Sequence, residues 1–155
     1  MWRIHVMSYL MVRPVSINIT PAHGLTLVDW RIVITLARAS DLTAQEIIEL
    51  WGLEKMAVSR SVRQLQKNGL IRRIRDKADS RRHPLHLTAK GLEVYRAAWP
   101  RAEEHYRLIT SALTVQELKQ FNEIADKLVA RAREIIDKYY PGAISSSNRS
   151  KSSNH

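Results

Sequence analysis

Between Glu54 and His86 the chain sets ten cations, Lys55, Arg60, Arg63, Lys67, Arg72, Arg73, Arg75, Lys77, Arg81 and Arg82, against three acids, Glu54, Asp76 and Asp79. The stretch is roughly a fifth of the 155 residues and holds +7 of a formal net charge of +10. A solvated surface mixes its signs. A polyanion footprint concentrates one of them, because neutralising phosphates releases the counterions condensed there. Arginine can also pair bidentately with guanine O6 and N7, and serine can bond a base or a phosphate.

Other chemistry has little to work with. The six histidines, His5, His23, His83, His86, His105 and His155, include no pair at the i, i+4 spacing of a helical metal site. Glu103 and Glu104 are adjacent on a helix and do not face each other. There is no glycine-rich phosphate loop and no Gly-x-Ser-x-Gly. The chain has no cysteine, which excludes disulfides, thiolate metal sites and cysteine redox switching. The expectation is no enzyme and no cofactor.

The elements that carry the cations follow from periodicity. Val58, Val62 and Leu65 fall at i, i+4 and i+7, so a helix over about 54–68 buries them on one face. Met56, Ser59, Arg60, Arg63 and Lys67 lie on its flank or far side. Gly69 supplies the left-handed residue that ends a helix. Two short runs, Leu70–Arg75 and Pro84–Leu87, then read as strands around a charged turn. Pro84 cannot donate to a ladder and belongs at a strand start or edge. Upstream, Thr43-Ala-Gln-Glu46 is a capping box opening a short helix through Trp51, with Ile47, Ile48 and Leu50 inward and Gly52 as its stop. Two helices and then a hairpin make the layout of a winged helix-turn-helix. In that layout the first helix crosses the DNA backbone, where its amides with Thr43 and Gln45 can hold a phosphate. By position Lys55, Met56, Ser59, Arg60 and Arg63 face the groove. Arg72, Arg73 and Arg75 are strand positions, of which some face DNA and others solvent or a partner.

The flanks are helical too. Trp2–Val12 can form a helix that Pro14 interrupts or closes, leaving 17–24 as a connector. Thr26, with Asp29, caps a helix to about Ala39 bearing the stripe Val28, Ile32, Val33 and Leu36, and Trp30 reads as core. Thr88 caps a helix to about Ser111, which Pro100 should kink or split. Thr114-Val-Gln-Glu117 is another capping box. It opens a helix with the stripe Leu118, Phe121, Ile124, Ala125, Leu128, Ala132 and Ile135. Residues 143–155 are rich in Ser and Asn and are expected to be disordered.

Several of these runs resemble the MarR family of bacterial transcriptional regulators. They are Leu42-Thr43-Ala44-Gln45-Glu46-Ile47, Leu53–Arg60, Asn68-Gly69-Leu70-Ile71, and above all Asp79-Ser80-Arg81-Arg82 before Leu85-His86-Leu87-Thr88-Ala89-Lys90-Gly91. The likeness runs from about Leu25 to Ala132. Trp51 departs from it, since the family usually has a smaller residue there, and Pro14 departs from its longer unbroken first helix. The resemblance implies that Arg81 enters the minor groove with Asp79 orienting it. Whether Arg82 does the same or touches a phosphate stays open. It also implies that the long helices pair with those of a second copy, and that a small ligand can bind between them and the winged domain.

The resulting plan is a mainly α (α+β) chain. Residues 1–24 form an N-terminal dimerisation helix and connector, 25–88 the winged helix-turn-helix, 89–138 the C-terminal dimerisation helices, and 139–155 a tail. Its expected partners are double-stranded DNA, a second copy of itself and a small-molecule effector. No apolar run approaches the ~18 residues of a membrane span, so the expected location is the cytoplasm. The expected function is a sequence-specific repressor. The alternatives are an architectural DNA binder and a winged helix used for protein contact.

Overall fold

The computed structural model describes residues 2–74, 79 and 82–141. Helix α1 (Trp2–Pro14) does not stop at its proline. Pro14 has no N–H to return to Leu10 and its ring crowds that carbonyl. The chain answers by widening into a π-helical stretch, Val15–Ile19, and closes with α2 (Thr20–Ala22). The 17–24 stretch is therefore helical almost to its end and not a connector. The wide turn points Val15 and Ile19 inward together, each 1% exposed.

Helix α3 (Leu27–Arg38) starts at the expected capping box, with Thr26 Oγ1 accepting from Asp29 N and Asp29 Oδ2 accepting from Thr26 N. Trp30, Ile32, Val33 and Leu36 are buried and form the centre of the core. Helix α4 (Ala44–Trp51) is capped by Thr43 and ends at Gly52, whose φ of +63° is left-handed. Ile47 and Ile48 are buried, but Leu50 is half exposed. Two residues on from Ile48 is about 200° around a helix, so both cannot face the core. Trp51 does have a use: its Nε1 donates to Thr35 Oγ1 at 2.8 Å, and the Arg31 guanidinium lies over its ring.

Helix α5 (Lys55–Lys67) sits on α3 and α4 through Val58, Ser61, Val62 and Leu65, all buried. Strands β1 (Ile71–Arg73) and β2 (Leu85–Leu87) pair antiparallel, Ile71 opposite Leu87. They are shorter than the sequence suggests, though Ile74 N still donates to the Pro84 carbonyl. Leu85 also bridges to Leu42, which stitches the hairpin to the loop before α4.

Helix α6 (Ala89–Thr110) is not split by Pro100. Both Pro100 and Arg96, whose carbonyl loses its partner, lie on the exposed side. Trp30, Tyr95 and Trp99 stack in series between α3 and α6, and Arg38 covers the outer face of Trp99 at 4.3 Å. At the start of α6, Thr88 N donates to Leu70 O (3.0 Å) and Thr88 Oγ1 to Gly69 O (2.6 Å). Helix α7 (Val115–Tyr139) starts at the expected capping box and has no buried residue. Its stripe is therefore largely uncovered, with Ile124 and Leu128 more than half exposed. Arg133 ties it back to the winged unit by donating to Leu50 O at 2.9 Å. Residues 142–155, and with them most of the expected tail, lie outside the described residues.

Candidate nucleic-acid interface

Helix α5 presents Lys55, Met56, Ser59, Arg60 and Arg63 to solvent while its apolar stripe is buried. The five positions named from spacing thus share the outward side of one helix. Its N-cap is Glu54, whose two carboxylate oxygens accept from Met56 N and Ala57 N, each at 2.7 Å. Spacing gave no hint of this cap, because glutamate is outside the usual cap residues. The cap occupies first-turn amides that would otherwise be open to a phosphate. Arg63 Nε reaches Ser59 O at 3.4 Å, which lays its side chain along the helix. Arg60, Arg63, Gln64 and Lys67 form one wall of a groove of about 680 Å³. The opposite wall is the start of α3, with Thr26 and Asp29.

A second groove, of about 590 Å³, lies between α4 and the hairpin and is lined by Thr43, Gln45, Arg73, Asp79, Arg82 and His83 among others. It joins residues from the first helix and the wing that the sequence assigned to one role. Thr43 is occupied with capping: its N donates to Glu46 Oε2 at 2.6 Å and its Oγ1 accepts from Glu46 N at 3.2 Å. Gln45 Nε2 donates to Glu49 Oε1 at 2.9 Å.

Arg82 also has partners within the chain. Its Nη2 donates to Asp41 O at 2.7 Å and to Glu46 Oε1 at 3.2 Å, so its guanidinium is engaged within the protein. His86 Nε2 sits 3.0 Å from Asp41 Oδ1, and Asp41 holds a left-handed φ of +68°. Burial raises the Glu46 pKa. The hydrogen bonds from Thr43 and Arg82, with the guanidinium charge, more than reverse this, and the carboxyl sits below its ordinary value. None of the pairs Arg82–Glu46, Arg82–Asp41 and His86–Asp41 was visible in local sequence, since each joins residues some forty positions apart. Arg75 and Arg81 lie outside the described residues.

Among the described residues there is no group of three or more His, Cys, Asp or Glu that could hold a metal ion. No described helix is long and apolar enough to cross a membrane.

A family model described as MarR family matches residues 23–82, which contain α3, α4, α5 and β1. The chain is 25% identical over 112 residues to the homoprotocatechuate degradative operon repressor of Escherichia coli, covering 72% of this chain and 76% of that one. It superposes on a MarR/EmrR family transcriptional regulator from Acinetobacter sp. ADP1 with TM-score 0.77 and 28% identity, over 85% of this chain and 93% of the other. The MepR–DNA complex of S. aureus shares the fold at TM-score 0.74 and 20% identity, over 84% and 94% of the two chains.

Proposed function

From the premise that the chain belongs to the MarR family of DNA-binding transcriptional regulators, we propose that it is a repressor that binds a near-palindromic operator as a homodimer in the cytoplasm. One observation carries the reading. Helix α5 buries Val58, Val62 and Leu65 and leaves Lys55, Met56, Ser59, Arg60 and Arg63 exposed. Docked in a major groove, Arg63 and Arg60 reach base edges, and Lys55 and Ser59 reach bases or phosphates. Thr43 and Gln45 at the start of α4 lie along the backbone. Arg73 supplies the flank of the wing; the family resemblance assigns Arg75 and Arg81, which lie outside the described residues, to DNA as well, Arg81 to the minor groove, whose narrow stretches favour arginine.

The apolar faces of α1 and α7 support the dimer. Trp2, Ile4 and Leu10 on α1 and Ile124, Leu128 and Ile135 on α7 are exposed, and large exposed apolar faces of this kind mark interaction surfaces. Two-fold pairing of these helices sets two α5 helices one turn of DNA apart, which is why the operator is a near-palindrome. The effector we propose is a small anionic molecule held between α1 and the winged unit. A groove of about 330 Å³ there is lined by His5, Tyr9, Arg13, Leu27 and Arg31 among others. It releases DNA only insofar as it prefers the non-binding conformation.

The test is binding to the DNA upstream of the protein's own gene against random duplex, at two salt concentrations. A repressor protects a near-palindrome with a preference of about 10³-fold or more, and binds less tightly as salt rises. Equal affinity for both duplexes overturns the reading in favour of an architectural binder.

A further inference from the structure

We infer that Arg82 is a positioning residue that fastens the wing to the start of the first DNA-facing helix, and is not itself a phosphate or groove contact. The inference rests on the operator-binding function proposed above. Its main chain belongs to the wing, where Arg82 N donates to Asp79 O at 3.0 Å. Its side chain belongs to α4, where one guanidinium nitrogen is shared between the Asp41 carbonyl and the Glu46 carboxylate. Glu46 in turn receives Thr43 N, the cap of the same helix. One arginine therefore joins the wing to the N-terminal turn of α4.

Two further ties run in parallel. Leu85 N donates to Leu42 O at 2.8 Å, and His86 meets Asp41 on the neighbouring register position. All three converge on the loop Asp41–Thr43. Of these three ties Arg82 is the one nearest the wing's turn along the chain, so it constrains how far the wing leans away from α4. The Nη2 group suits this task, because its two N–H donors serve a carbonyl and a carboxylate together. A phosphate that drew Nη2 away would take it from both acceptors and leave the Glu46 carboxylate facing the DNA polyanion.

That last point gives a test with opposite signs. Glu46→Gln keeps the capping box, since glutamine serves at that position. It removes a negative charge beside the DNA. If Arg82 contacts phosphate, Glu46→Gln frees it and affinity for the operator rises. If Arg82 positions the wing, affinity falls by about 3- to 10-fold, because the fastening is weakened. Adding Arg82→Ala to Glu46→Gln should then cost little more than Arg82→Ala alone. Urea midpoints of all variants, at one protomer concentration, separate wing placement from unfolding. The inference is overturned if Glu46→Gln tightens binding or if the two losses simply add. Wild-type protein failing to prefer the operator would refute the function itself, and is read from the same titrations.

Discussion

Gly91 is the third residue of α6, inside the helix, where general propensity favours alanine by about 1 kcal/mol. The structure predicts the reverse. A Cβ at Gly91 would overlap the Leu70 carbonyl oxygen and lie 3.0 Å from both the Leu70 carbonyl carbon and Leu87 Cδ2. Backbone cannot give way as a flexible side chain does, so α6 must lift from the end of α5. Lifting stretches Thr88 N to Leu70 O and Thr88 Oγ1 to Gly69 O, the two bonds at this joint. Overpacking of this kind costs about 1–3 kcal/mol, and each lost bond about 1 kcal/mol. Against the propensity gain, Gly91→Ala should destabilise the protein by about 2–4 kcal/mol. For a chain of this length that is a fall in Tm of roughly 5–15 °C. Urea denaturation and thermal melts at matched protomer concentration measure it, since a dimer's stability depends on concentration. A variant as stable as wild type, or more so, would refute the close-approach argument and leave propensity in charge.

Three other outcomes follow. Arg63→Ala should cost about 1–3 kcal/mol on the operator and much less on random duplex, as competition binding would show; a uniform loss on all sequences would make Arg63 a phosphate contact. Leu128→Glu places a charge in the exposed stripe of α7 and should yield monomers by sedimentation, with operator affinity lost while far-UV CD persists; a dimer that survives sends the interface elsewhere. Acid should destabilise the fold partly through Glu46, whose folded pKa lies below its ordinary 4.5. The stability it contributes is complete above that value and is lost as pH falls through the lowered one. A denaturation series from about pH 6 to pH 3 should therefore be shallower for Glu46→Gln, and parallel curves would contradict the assignment.

Much of the fold was legible because its signals are local. The capping boxes at Thr26, Thr43 and Thr114 bring donor and acceptor together three residues apart, and each is present as read. Gly52 and Gly69 carry the positive φ that stops α4 and α5. The stripe of Val58, Val62 and Leu65 identified both the buried and the outward side of α5. Legibility failed where packing overrode a local rule or where distant residues met. Pro14 ends helices in isolation, yet the burial of Val15 and Ile19 favours carrying the helical course through a wider turn. Trp51 made no sense until Thr35 and Arg31 stood beside it. Arg82 looked like one more cation in a cationic run; only the return of the wing onto Asp41 and Glu46 separates it from the others.

The joint between α5 and α6 makes the longer helix a lever. Lys90 Nζ donates to Asn68 O, and Thr88 grips Gly69 and Leu70, so the first turn of α6 and the last of α5 move as one piece. The 22 residues of α6 form an arm about 33 Å long. With its far end at Thr110 held, a tilt of about 5° swings the near end by about 3 Å, close to the 3.4 Å rise of one base pair. A rotation of α6 about its far end would therefore reach the end of α5 as a step of nearly a base pair.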